Sequence, residues 1–259
     1  VTSWTILHRM RIEIRNLFLI CWFFVTSKQW ISSKELSSIL WLDEKTTWLR
    51  TEKIRKIMVF DDRTKLSWEV EIDEVFLWWN HSWKRWRWAE WKKIVIIAVE
   101  INMTNLNKKW LFKWMWRVRI KVIKNCWWQT LLNFIEKEIE KGSNIYTDWW
   151  KGYNNLKNKD YNHIIQTKTL KDKEILWINT EEVTPNVHII ASLLKRWLLG
   201  THQEYLVKWG YLQDYLEEYT FRFNRRKVSN RWKLFKIILE QILLNKPITR
   251  EEIKKQKKT

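Results

Sequence analysis

Two aspartates in well-separated segments, Asp73 in EIDEVFLWW (71–79) and Asp148 in YTDWWKGY (146–153), have the setting that metal-assisted phosphodiester chemistry requires. That chemistry gathers carboxylates from distant parts of a chain, so that two divalent ions about 3.5 to 4 Å apart clamp the attacking and leaving oxygens. Such acids belong at or near strand ends. Asp73 lies in the first predicted strand and Asp148 closes the fourth. Glu74 follows Asp73 directly, so strand alternation turns it to the opposite face and leaves Asp73 as the expected ligand.

The elements that must position these acids are legible in the hydrophobic pattern. Val- and Ile-rich runs from Trp68 to Leu77, Ile94 to Ile101 and Trp116 to Ile123 predict three neighbouring antiparallel strands. A helix over Thr130 to Lys141 and a short strand over Asn144 to Thr147 follow. Strand, strand, strand, helix, strand is the order of a ribonuclease-H-like core, in which the first and fourth strands are neighbours. The expected fold class is α/β (α+β): a mixed sheet flanked by helices and preceded by a helical region. Further helices are predicted at about 186–199, 208–223 and 231–244, with Pro247 closing the last.

Ahead of the strands, residues 10–25 have helical spacing, and SSKELSSILWLDEKTTWLRTEKIRKI (32–57) reads as helix, turn, helix. Ser33 and Asp43 are the expected N-caps. The second helix carries Lys45, Thr46, Thr47, Arg50 and Lys53, which suits entry into a DNA major groove; an ordinary helical hairpin remains open. The expected organisation is 1–62 as a helix-turn-helix region, 63–226 as the catalytic core and 227–259 as a basic C-terminal helix and tail.

Composition points to the same class of partner. The 259 residues carry 48 Lys and Arg against 29 Asp and Glu, a formal net charge of +19. Such an excess favours a polyanion through attraction and counterion release. The charge is clustered, with twelve basic and two acidic residues in 83–124 and twelve and three in 225–259. No apolar run is long enough for a bilayer, and no helix pairs a basic face with a sustained apolar one, so a membrane partner is not expected. Cys21 and Cys126 have no metal or redox spacing and read as reduced thiols.

The chain holds 23 Trp and 4 Gly. Trp78, Trp79, Trp83, Trp86, Trp88 and Trp91 fall in a polar, turn-like segment where flexible backbone is wanted. A tryptophan-rich stacking surface would use a few placed rings without a loss of glycine. The expectation is that UGA encodes glycine in this gene, as in some uncultivated bacteria, and has been rendered as tryptophan.

With that substitution the motifs resemble those of the ISXO-type insertion-sequence transposases: Asp-Glu before a Gly-Gly pair, then Tyr-Thr-Asp-Gly-Trp-x-Gly-Tyr. Trp78, Trp79 and Trp149 stand at the family's glycines and Trp150 at its tryptophan. Only the resemblance sorts the tryptophans: it implies that Trp22, Trp48, Trp150 and Trp197 are genuine and the other nineteen of the 23 glycines. PNVHIIASLLKRWLLGTHQ (185–203) and EEYTFRFNRR (217–226) resemble its third catalytic helix and C-terminal signature. The resemblance runs from about residue 2 to 240. It implies a DNA transposase that uses two divalent ions, Mg²⁺ or Mn²⁺, to cut the ends of its element and join them to target DNA, acting as a homo-oligomer on DNA in the bacterial cytoplasm. It places His188 where the family usually has glutamate, so Asp73, Asp148 and His188 become the expected catalytic and metal-binding set. Glu181, Glu182 and Asn186 remain alternatives to His188. Lys195, seven residues beyond His188 on the same helical face, and its neighbour Arg196 are candidate phosphate contacts, with Arg222, Arg226, Lys92, Lys93, Lys45 and Arg50 as further DNA-binding candidates. The family also carries a cysteine zinc ribbon before its helix-turn-helix, which is not found here, and the initial Val implies a reading that begins inside a longer gene. The rival expectation is a non-catalytic helix-turn-helix regulator or a decayed transposase.

Overall fold

Branched apolar side chains suit a pleated, buried surface, and they build β1 (Glu69–Leu77), β2 (Lys93–Asn102) and β3 (Trp114–Ile123), joined later by β4 (Asn144–Thr147) and β5 (Asn162–Ile165). These form one five-stranded sheet in the order β3-β2-β1-β4-β5. β2 is antiparallel to β1 and β3, while β4 runs parallel to both β1 and β5. The sheet, with helices after its third strand and beyond its last, is the expected ribonuclease-H-like arrangement, including the adjacency of the first and fourth strands. The computed structural model describes residues 4–6, 8, 13–27, 31–58, 63–77, 93–102, 114–148, 150–166, 183–202 and 210–255. The chain divides into two compact units, Arg63–Lys195 and Val1–Asp62 with Arg196–Thr259.

In the sheet unit, Val70 and Ile72 of β1 and Ile96 and Ala98 of β2 share a core with Leu131, Phe134 and Ile135 of α4 (Trp128–Glu138). Tyr153 and Leu156, from a 3-10 stretch over Lys151–Lys159, complete it. α4 stops before the predicted Lys141 because Ile139 forms a bridge with Leu66 and the chain then turns through Gly142 at φ 83°. The 3-10 stretch and β5 were not expected. α5 (Pro185–Trp197) follows and runs on into a single π turn, Leu198–His202.

The other unit holds α1 (Ile14–Thr26), α2 (Ser33–Leu40), α3 (Glu44–Ile57), α6 (Leu212–Asn224), α7 (Arg231–Leu244) and α8 (Arg250–Lys255). Ile20 and Phe24 of α1 pack with Leu36, Ile54, Ile57, Phe221, Leu234 and Ile238. Asp43 caps α3 as expected, accepting from the Thr46 amide at 2.9 Å. The cap of α2 is Ser32, not Ser33, whose hydroxyl pairs with Thr51. α7 ends before Pro247, but α8 resumes beyond it, which the sequence reading did not anticipate.

α3 is enclosed on most sides. Arg55 is fully buried between Glu52 and Glu218, at 2.7 Å from each, and stacks over Tyr215 at 4.1 Å. Arg50 is 6% exposed and Lys53 9%. Neither therefore presents the groove-facing surface expected of it; Lys45, at the first turn, is exposed. No described helix is long and apolar enough to cross a membrane.

Trp4, Trp41 and Trp68 have φ of 69°, 53° and 68°, the left-handed region, and are 85%, 94% and 79% exposed. Trp41 is the C-cap of α2, the position where a left-handed glycine usually ends a helix. A Cβ there meets the following carbonyl at a cost of about 1–2 kcal/mol. Trp22, Trp48 and Trp197 behave differently, packing against Phe235, Tyr211 and Tyr219 with ring centroids 5.1 to 5.6 Å apart. Trp41→Gly and Trp68→Gly should each raise the unfolding free energy by about 1 kcal/mol, read from denaturant midpoints. Trp48→Gly, which removes a packed ring from mid-helix, should lower it by about 3 kcal/mol or more.

Candidate active site

β1 carries four acids, and alternation divides them between the faces of the sheet. Val70, Ile72 and Glu74 point to the α4 side, where the Tyr153 hydroxyl donates to Glu74 Oε1. Glu71 and Asp73 point to the other side, toward the start of α5. There Asp73 Oδ2 accepts from the Thr184 hydroxyl at 2.9 Å and stands 3.7 Å from His188 Nε2. Asp73 Oδ1 accepts from the Glu74 amide at 2.7 Å. Asp148, one residue past β4, accepts from the Trp150 amide at 3.0 Å, and the Thr147 hydroxyl beside it bonds both to the Asp148 carbonyl and to His163 of β5.

Burial pushes the Asp73 carboxyl above its ordinary range, and the charge of Asp148 pushes it further, against the Thr184 hydrogen bond. The Asp148 charge thus bears on Asp73, a repulsion that a nearby cation would relieve. The 3.7 Å between Asp73 Oδ2 and His188 Nε2 is too long for a hydrogen bond. It is a separation that a divalent ion with ligand bonds of about 2.0–2.2 Å can bridge. Among the described residues no three His, Cys, Asp or Glu side chains close into a ready-made metal cage. Magnesium-type sites at phosphate substrates commonly use one or two carboxylates and take other ligands from water and substrate. The donor set therefore fits such ions.

The family model for the ISXO2-like transposase domain matches residues 65–224, more than half of the chain. The chain belongs to the ISXO2-like transposase family. Among solved structures it is similar to the Mos1 transposase paired-end complex with left transposon end, at 13% identity and a TM-score of 0.31, and to the Mos1 strand transfer complex, at 10% and 0.29. Each alignment covers 90% of this chain and 79% of the other. A search of curated proteins gave no match.

In this transposase the sheet unit brings Asp73 and His188, far apart in sequence, to 3.7 Å, and Asp148 follows β4, the strand paired with β1. Lys195 and Arg196 are exposed on α5, and Lys93 is exposed at the start of β2. Asn186, the described alternative to His188, donates its side-chain amide to Glu71 Oε1 at 2.9 Å and is buried. Glu181, Glu182 and Lys92 lie outside the described residues. In the helical unit Arg226 is exposed, with its guanidinium 3.9 Å over the Phe223 ring. Arg222 is not the surface contact expected: it donates to the Ser27 carbonyl at 3.0 Å and faces Glu218, and burial lowers its pKa to about 10. The sequence reading also missed Glu71, Thr184, Tyr153 and His163, whose partners lie far along the chain.

Burial raises the Glu74 carboxyl from 4.5 to about 7, outweighing the Tyr153 hydrogen bond, with Asp73 and Asp148 adding to the rise. A raised carboxyl pKa means that the folded state holds its proton more tightly than the unfolded chain. Its stabilising contribution is present below the ordinary value and is lost as pH climbs toward 7. The metal-free protein should therefore lose on the order of 2 kcal/mol between about pH 4.5 and 7 through this group. Denaturant titrations of wild type and Glu74→Gln across that window should differ by this slope, with parallel profiles ruling it out.

Proposed function

We propose that this transposase cuts DNA at the ends of its element and transfers the exposed strand into target DNA, with Asp73, Asp148 and His188 holding two divalent ions. The observation that carries the reading is the convergence of Asp73 on β1 and His188 on α5 to 3.7 Å, beside an Asp148 whose charge reaches Asp73. Bound ions would stabilise the attacking and leaving oxygens of an in-line displacement. In the first step a water oxygen bonds to phosphorus as the P–O3′ bond breaks, leaving a 3′ hydroxyl. In the second, that hydroxyl oxygen attacks a target phosphodiester and a new P–O3′ bond replaces the old. A neutral imidazole brings nitrogen ligation without negative charge, which favours Mn²⁺ over Mg²⁺. Lys195, Arg196, Lys93, Arg226 and Lys45 are exposed cations suited to DNA phosphates, and the enzyme is expected to act as a homo-oligomer on DNA.

The same proposal includes the decoding of UGA as glycine at the nineteen tryptophans outside Trp22, Trp48, Trp150 and Trp197. The left-handed Trp4, Trp41 and Trp68 support it. Mass spectrometry of the native peptide spanning residues 78 and 79 tests it directly, and tryptophan at both would end the idea.

For the chemistry, the protein made with glycine at those positions should join an element-end DNA to a target in Mn²⁺, more weakly in Mg²⁺, and not in EDTA. Asp73→Ala, Asp148→Ala and His188→Ala should each lower strand transfer by about 10³-fold or more while leaving DNA binding intact. Full activity of Asp73→Ala would refute the metal assignment. Tight binding without cleavage in either metal would favour a regulator or decayed enzyme.

A further inference from the structure

Glu71 is a fully buried carboxylate on the same strand face as Asp73, two residues away, and by chemistry alone it would be a natural further metal ligand. Its oxygens are engaged elsewhere. Oε2 accepts from the Asn186 backbone amide and Oε1 from the Asn186 side-chain amide, both at 2.9 Å. The backbone amide lies in the first turn of α5, where the helix has no internal acceptor for it. Two residues earlier, Thr184 is completely buried at φ 52°. A β-branched residue adopts that conformation only when its surroundings impose it. Its amide donates to Gln166 Oε1 at 2.9 Å, and its hydroxyl shares one proton between Asp73 Oδ2 at 2.9 Å and the Val183 carbonyl at 2.8 Å.

We infer that Glu71, Asn186 and Thr184 form a clasp between β1 and α5 whose function is to fix the distance between Asp73 and His188. The inference rests on the metal reading given above. His188 lies four residues from Thr184 and two from Asn186, inside the turn of helix that the clasp holds. The side chain is 47% exposed, so packing constrains it little and the seating of the helix start must set its position. Asp73 in turn has one oxygen oriented by Thr184 and the other by the Glu74 amide. The three clasp members are positioning residues, with no atom on the reacting centre.

The test is Mn²⁺ binding to the full chain, measured by calorimetry alongside thermal unfolding. Glu71→Gln and Asn186→Ala should weaken Mn²⁺ by about 10- to 100-fold, and Thr184→Val should act in the same direction while Thr184→Ser retains affinity. The double variant E71Q with N186D should recover most of the loss, because glutamine and aspartate exchange the donor and acceptor roles across the same contact. Unchanged Mn²⁺ affinity in folded Asn186→Ala and Thr184→Val, with a lower melting temperature alone, would overturn the clasp and leave a merely structural contact. Asp73→Ala separates the two ideas. If it binds Mn²⁺ as tightly as wild type, the metal reading itself fails; if it alone loses binding, the metal reading stands and the clasp does not.

Discussion

A central strand that carries four acids must give each of them a partner, because a buried carboxylate without one is costly. β1 does this with side chains drawn from three later segments: Asn144 for Glu69, Asn186 for Glu71, Thr184 for Asp73 and Tyr153 for Glu74. The parallel pairing of β1 with β4 supplies the first of these and brings Asp148 close to Asp73. The entry of α5 supplies the second and third and delivers His188. The 3-10 stretch after β4 supplies the fourth. The layout of the site is thus a consequence of satisfying one strand, and changes to any of these partners propagate to the acid it holds.

The consequence is an arrangement of unequal acids. Burial presses the Glu74 carboxyl up to about 7 and also raises that of Asp73, which keeps two hydrogen-bond donors. Near pH 7 Glu74 is therefore partly protonated, which limits its repulsion with the neighbouring Asp73 in the metal-free protein. The sheet's opposite faces separate the roles. On one, Glu74 is tied to the apolar core by Tyr153; on the other, Asp73 meets α5 and a half-exposed imidazole.

Much of this was legible in the sequence because it depends on local pattern. Val- and Ile-rich runs marked β1 to β3 almost to the residue, Asp43 announced a helix start, and alternation alone separated Asp73 from Glu74. β5 was missed because Asn-His-Ile-Ile is four residues long and owes its strand conformation to pairing with β4. Arg50 and Arg222 were misjudged for a related reason. An arginine's sequence neighbours do not tell whether it meets solvent or is buried, and Arg222 turns inward to the carbonyl of Ser27, from the opposite end of the chain. His188 stood out through its motif, whereas the Glu71 and Thr184 contacts exist only once α5 has docked on β1.

The described tryptophans differ in surroundings in ways that composition could not supply, and Trp232, grouped with the glycine positions, also packs on Trp22 at 4.9 Å and Phe235 at 5.7 Å. A tryptophan that belongs in a fold buries its ring or finds a partner for its indole nitrogen. Trp197 is 7% exposed against Tyr219, and Trp150 sits so close over Gly152 that a Cβ there would approach its Nε1 to 2.6 Å. Trp4, Trp41 and Trp68 do the reverse: each holds its ring in solvent and its backbone in the region that disfavours any Cβ. Trp68 is also fixed by pairing, since its carbonyl accepts from the Asn144 amide at 2.7 Å as β1 and β4 begin. The backbone at these three positions is thus in the region that glycine favours, and the strand that carries Asp73 begins directly after one of them.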